Sequence, residues 1–195
     1  MKKKIILLLM VLAVAVSGLL YGCGDKPNES IDPDATVEQG ESSPGNIENN
    51  AGDVASNTAP DFTVKDSDNN DVKLSDKFGK PIIVNMWATW CGPCISELPA
   101  FNKLAENHKD DITFMMVNLT DGSYDTVDAV KEFAVKNGYT FPVYFDTEGN
   151  ASNAYSVFSI PLTIFIDENG NVKEKHTGSM SEEVLQGYID NLLKK

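Results

Sequence analysis

The chain has 195 residues and a formal net charge of −13, with 16 lysines, 29 acidic residues and no arginine. From Cys23 onward 13 lysines face 29 acidic residues, a net of −16. That balance argues against nucleic acid or an acidic membrane surface as a partner. The length suits one domain of ordinary size behind a leader.

Residues 1–22 read as a signal peptide. Met1-Lys2-Lys3-Lys4 is a basic n-region and Ile5 to Val16 a twelve-residue apolar h-region. The run is too short for a comfortable bilayer span, which takes about 20 residues. Leu20-Tyr21-Gly22-Cys23 resembles a bacterial lipobox in which Cys23 takes the lipid, although Tyr21 departs from the usual small residue. The alternative is an ordinary secretory signal with an incidental cysteine. Residues 23–58 follow as an acidic tether: no aromatic occurs, and Lys26 is the single cation among Asn, Ser, Gly, Pro, Asp and Glu. Such a stretch cannot bury enough apolar surface to order itself. As a flexible chain it would reach about 30–35 Å.

The domain is expected over residues 59–195. Ala59 to Val64 and Val72 to Leu74, joined by the turn cluster Asp68-Asn69-Asn70-Asp71, predict a β-hairpin. Ser75 is placed to cap a brief helical turn from Asp76 to Phe78. Ile82 to Trp87 is an apolar run interrupted by Asn85, as in a central strand buried on both faces. A helix to about Asn107 follows, with Pro99 inside it. Ile112 to Val117 predicts a strand, Thr126 to Lys136 a helix stopped by Asn137-Gly138, and Phe141 to Phe145 a strand with Pro142 at its start. Ala151 to Phe158 reads as helical. Leu162 to Ile166, the turn Asn169-Gly170 and Val172 to Thr177 predict a second hairpin. A last helix through Leu193 is capped by Ser179 or Ser181, with Val184, Leu185, Tyr188, Ile189 and Leu192 inward. This order gives an α/β domain with a mixed sheet and helices on both faces.

The chemistry sits at Trp87-Ala88-Thr89-Trp90-Cys91-Gly92-Pro93-Cys94, between the central strand and its helix. The helix N-terminus offers unpaired N–H groups and a positive dipole end, which favour a thiolate on Cys91. Cys94 returns within one turn, near enough to close a disulfide. Cys91 is therefore the candidate nucleophile and Cys94 the resolving thiol. Zinc would need two further ligands, and only His108, His176 and Cys23 are on offer. A purely structural disulfide of this spacing would staple almost no loop entropy.

These stretches together resemble the thioredoxin fold, and more narrowly the TlpA/ResA group of membrane-tethered extracytoplasmic thiol–disulfide oxidoreductases. The resemblance covers 59–195. It rests on Ala59-Pro60-Asp61-Phe62, the Trp-x-x-Trp-Cys-Gly-Pro-Cys block, Phe141-Pro142-Val143 with Asp146, and Ser159 to Asp167. It implies a central mixed sheet flanked by helices, with an N-terminal hairpin and a central helical insert at 126–136. It further implies that Pro161 is a cis-proline facing the cysteines, and that Ile160 pairs with bound substrate as an added strand. Trp90, Gly92, Pro93, Ile160 and Pro161 are then the expected substrate contacts. Ordinary thioredoxin has a buried Asp where Asn85 stands, and an amide cannot titrate. Glu97, one turn after Cys94, matches a Glu of the ResA-like proteins and is the expected acid/base for Cys94.

The expected activity is reduction of disulfides in extracytoplasmic clients, with apocytochrome c and methionine sulfoxide reductase as the client classes the resemblance implies. Electrons would come from a membrane thiol carrier. No cofactor or metal is needed, and the domain is expected to be a monomer held to the cell membrane by lipid on Cys23. Two alternatives stand beside it. One is a redox-inert tethered module that captures extended peptides beside Pro161. The other is a thiol peroxidase of peroxiredoxin type, a family that expects Thr or Ser three residues before its reactive Cys and an Arg. Here Ala88 and Cys91 stand three residues before Cys91 and Cys94, and Arg is absent.

Overall fold

A computed structural model describes residues 57–194. The leader, Cys23 and all but the last two residues of the tether lie outside the described residues. A seven-stranded mixed sheet runs in the order β2-β1-β5-β4-β3-β6-β7. Its strands are β1 (Thr63–Lys65), β2 (Asp71–Lys73), β3 (Ile82–Trp87), β4 (Thr113–Asn118), β5 (Val143–Phe145), β6 (Leu162–Ile166) and β7 (Val172–Thr177). The helices are α1 (Gly92–Asn107), α2 (Val127–Asn137), α3 (Asn150–Ala154) and α4 (Glu182–Leu193). No helix among the described residues is long and apolar enough to cross a membrane.

Every residue of β3 is buried. It pairs in parallel with β4 and antiparallel with β6, with Asn85 opposite Met116 on one side and Thr163 on the other. Side-chain alternation splits the strand between two cores. Ile83 and Trp87 pack with Leu98, Phe101 and Leu104 of α1, Val130 of α2, and Leu185 and Ile189 of α4. Ile82, Val84 and Met86 pack with Phe62, Leu74, Ala151 and Tyr155. The three long helices thus cover one face, and the short α3 with the N-terminal segment covers the other.

The helix ends follow the residues that can terminate them. Thr126 accepts from the Ala129 N–H at 3.2 Å to start α2. Gly138 ends it at φ +69°, a left-handed cap that glycine adopts without a Cβ penalty. Ser181, not Ser179, caps α4 by accepting from the Val184 N–H.

Several boundaries move, each for a local reason. The first strand begins at Thr63, because Asp61 is committed to Ser75: its carboxylate accepts from the Ser75 N–H at 3.0 Å and hydroxyl at 2.8 Å. Ser75 consequently lies inside a 3₁₀ turn, Ser75–Lys77, and caps nothing. The helix expected from Ala151 to Phe158 stops at Ala154. Ser156 turns left-handed at φ +49°, and Phe158 is fully exposed. Val184 of α4 is 46% exposed rather than inward. The closing turn uses Asp167, whose carboxylate accepts from the N–H groups of Asn169 and Asn171. Gly170 lies within it, where a Cβ would sit 2.6 Å from the Phe78 ring.

Candidate active site

The site is built where β3 ends. Cys91 takes an extended conformation as the N-cap of α1, with Pro93 in the first turn, where its missing N–H is harmless. The Cys94 N–H donates to the Cys91 sulfur at 3.2 Å. That bond and the helix dipole both stabilise negative charge on Sγ once the disulfide opens. Cys91 and Cys94 are joined as a disulfide, with Cα atoms 5.2 Å apart. The two sulfurs are unequal: Cys91 is 6% exposed and Cys94 fully buried. Around Cys91, Gly92 and Pro93 are exposed and Trp90 is 57% exposed.

The peptide bond Ile160-Pro161 is cis. The Ile160 carbonyl oxygen lies 3.7 Å from the Cys91 sulfur, 69 residues away in sequence. Trp90, Cys91, Gly92 and Pro93 on one segment and Ile160-Pro161 on another thus meet at one sulfur. Gly178 donates its N–H to the Pro161 carbonyl and ties the segment to the end of β7.

Behind the cysteines, Glu97 is buried on α1 at 1% exposure. Its Oε1 accepts from Asn85 Nδ2 at 2.8 Å, and its Oε2 accepts from the Met180 N–H at 2.9 Å. Asn85 Nδ2 also donates to Thr163 Oγ1 at 3.0 Å. The pairing of β3 with β6 puts Asn85 and Thr163 side by side, so one amide orients the carboxyl from across the sheet. Burial pushes the Glu97 carboxyl up to about 7, and the bonds from Met180 and Asn85 offset only part of that rise. A carboxyl with this value exchanges a proton near neutral pH.

A second buried carboxylate is invisible to sequence reasoning. Asp125, fully buried just ahead of α2, accepts from the Thr89 N–H at 2.8 Å and from Asn118 Nδ2 at 2.7 Å. The Thr89 hydroxyl donates to its other oxygen. Asp125 therefore clamps the turn that carries Trp90 and Cys91 onto the end of β4. The only sequence signal is an acidic residue ahead of a helix cap, which any loop can supply. His108 and His176 stand at the end of α1 and on β7. Among the described residues no group of three His, Cys, Asp or Glu side chains is placed to hold a metal ion.

A strand-to-helix disulfide facing a cis-proline on a mixed sheet defines a thiol–disulfide oxidoreductase of the thioredoxin fold. The chain belongs to the Redoxin family, whose model matches residues 54–192, and within it to the TlpA/ResA-like group. It is 36% identical over 136 residues to the thiol–disulfide oxidoreductase ResA of Geobacillus kaustophilus, covering 69% of this chain and 76% of that protein. It is 35% identical over 132 residues to the thioredoxin-like protein YneN of Bacillus subtilis, covering 68% and 76%. Among solved structures, StoA from Bacillus subtilis superposes with a TM-score of 0.59 at 27% identity, covering 67% of this chain and 97% of that one. The exposed lipoprotein thioredoxin of Streptococcus pneumoniae gives 0.60 at 28% identity, covering 68% and 99%.

Proposed function

We propose that the chain works outside the cytoplasm as a reductant of protein disulfides, with Cys91 as nucleophile, Cys94 as resolving thiol and Glu97 as the proton exchanger for Cys94. One observation carries the reading. The more accessible sulfur receives a backbone N–H at a helix start, while the buried one lies a helical turn from a carboxyl titrating near 7. Cys91 thiolate attacks a client disulfide and forms a mixed disulfide, releasing one client thiolate. Cys94 then attacks Cys91, the second client thiolate leaves, and two electrons have passed to the client. Glu97 accepts the Cys94 proton as that thiol becomes nucleophilic. Gly92-Pro93 places no cation between the cysteines, which suits a reductant, since a strong oxidant is one whose reduced form is stabilised.

Lipid on Cys23 would hold the domain at the membrane through the acidic tether. Outside the cytoplasm the surroundings are oxidising, so a membrane thiol carrier would recharge the dithiol. Apocytochrome c and methionine sulfoxide reductase are the client classes in view. Insulin reduction by the full-length protein with dithiothreitol tests the core of the reading. Catalysed turnover is expected to vanish in Cys91→Ser, and a wild type without turnover overturns the reading in favour of a redox-inert binding module. Cys23→Ala is expected to release the protein from membranes; wild type found free and unlipidated refutes the anchor.

A further inference from the structure

Among the described residues, three aromatic side chains are exposed: Trp90 at 57%, Tyr124 at 78% and Phe158 at 97%. Exposed apolar residues scattered singly need no explanation. These three are not scattered. The bonds from Thr89 to Asp125 join the two segments at positions next to Trp90 and Tyr124, each one Cα step of about 3.8 Å away. Phe158 precedes by two residues Ile160, whose carbonyl lies beside the Cys91 sulfur.

The segments presenting them are held, not loose. Asp121 Oδ1 accepts from the N–H groups of Ser123, Tyr124 and Asp125, at 2.8, 2.8 and 3.1 Å. The Val157 N–H donates to the Ser152 carbonyl at 2.9 Å, just before Phe158. Neither Tyr124 nor Phe158 gains burial within the domain. The segments 87–96 and 118–130 contain the exposed Asp121 and Asp128 and no lysine, Asp125 being buried, while Lys175 lies over the Tyr155 ring from β7. A partner seated beside Trp90 and Tyr124 meets aromatic rings and the Asp121 and Asp128 carboxylates.

We infer that Trp90, Tyr124 and Phe158 form an aromatic, acidic rim around Cys91 that selects clients whose disulfide lies in an extended apolar segment flanked by lysine or arginine. The inference rests on the proposed disulfide-reductase reading. Each aromatic ring brings about 150–250 Å² of surface to a contact and offers its face to a cation. The acidic surroundings raise the encounter rate with a basic segment and repel an acidic one. Chemistry at the sulfurs is unchanged: the dithiol becomes a disulfide as the client disulfide becomes two thiols, with two electrons and two protons transferred.

Stopped-flow reduction by the pre-reduced full-length protein tests this, with three probes. Two are twelve-residue peptides with the same internal disulfide and apolar core, one lysine-flanked and one glutamate-flanked. The third is 2-hydroxyethyl disulfide, a small uncharged aliphatic disulfide that cannot span the rim. The second-order rate on the lysine peptide is expected to exceed that on the glutamate peptide by ten- to hundredfold at low ionic strength, the ratio shrinking with added salt. Phe158→Ser and Tyr124→Ser are each expected to lower the ratio of lysine-peptide to small-disulfide rates by about threefold to tenfold. Asp128→Lys is expected to narrow the lysine-over-glutamate preference. Equal wild-type rates on the two peptides overturn the rim, whatever the variants do. Failure to reduce even the small disulfide overturns the reductase reading instead.

Discussion

Two buried carboxylates flank the disulfide, and they are built for different work. Asp125 sits among three donors that come from the motif turn and from β4. Glu97 receives two, one per oxygen, from a sheet amide and a backbone N–H. The Asn85 side-chain oxygen Oδ1 beside it has no hydrogen-bond partner. Both residues are essentially out of solvent, at 0% and 1% exposure. What separates them is the number and origin of their donors. Asp125 fastens two pieces of backbone together, whereas Glu97, with burial outweighing its hydrogen bonds, holds a proton loosely near neutrality.

The largest effects are expected at the two sulfurs. Cys91→Ser is expected to abolish turnover, and Cys94→Ser to accumulate mixed disulfides with clients, read on non-reducing gels after thiol quenching. Equal trapping by both variants would reverse the nucleophile assignment. Next comes Asp125→Ala, which strips the acceptor from Thr89 and from the buried Asn118 amide. With about 1–3 kcal/mol for each unsatisfied donor, a loss of about 4 kcal/mol in unfolding free energy is expected, measured by urea denaturation of the oxidised protein. The pH profile of disulfide resolution should keep its midpoint. A moved midpoint would make Asp125 a second proton-handling group and dissolve the contrast.

The position of Glu97 was legible in the sequence and that of Asp125 was not, and the reason is geometric. Glu97 lies three residues after Cys94, so helical periodicity alone puts it on the cysteine's side. Asn85 opposite it raised the question of which group takes the proton. Asp125 reaches Thr89 across 36 residues of sequence, through a loop whose shape depends on Asp121 and Gly122. The central strand was legible too, because an apolar run broken only by Asn85 states its burial outright. The helix expected through Tyr155 to Phe158 was not, since its pattern yields to a left-handed Ser156. The place of Ile160-Pro161 against Cys91 came from the family resemblance, and the cis bond and the 3.7 Å approach agree with it.

The contrast sharpens when stability is followed against pH. Glu97 has a carboxyl raised from 4.5 to about 7 in the folded protein. Between those values the folded state holds a proton that the unfolded chain has lost. Stability from this group is therefore greatest below pH 4.5, falls as pH rises toward 7, and is flat above. The fall amounts to about 3 kcal/mol across the window, at 1.36 kcal/mol per pKa unit. Asp66, Asp121 and Asp167 are shifted downward from 3.8 and titrate below it. The difference between wild type and Glu97→Gln, both oxidised, is expected to trace this fall in urea midpoints from pH 4.5 to 8. A difference that stays constant across the window would place the titration elsewhere.

The smallest expected effect is the most telling for mechanism: the rate of Glu97→Gln. Glutamine keeps the length and one oxygen to accept from Asn85, so the tie between α1 and β3 survives. Its amide cannot take a proton, and with its one oxygen on Asn85 it turns its NH2, a donor, toward the Met180 N–H. Cys94 is fully buried, which disfavours its thiolate, and resolution of the mixed disulfide needs that thiolate. Without a base the proton must leave by a slower route. Turnover is expected to fall tenfold to hundredfold, about 1.4–2.7 kcal/mol of barrier, at the low end for acid–base catalysis. Formation of the mixed disulfide by Cys91 should be nearly unchanged, since its sulfur keeps the Cys94 N–H. The defect should therefore appear in the second, resolving phase of a single-turnover experiment, and the inflection near pH 7 in that phase should disappear. A loss confined to the first phase would mean that Glu97 acts only through the position of α1. A resolving phase equal to wild type from pH 5 to 9 would leave Glu97 a structural tie like Asp125.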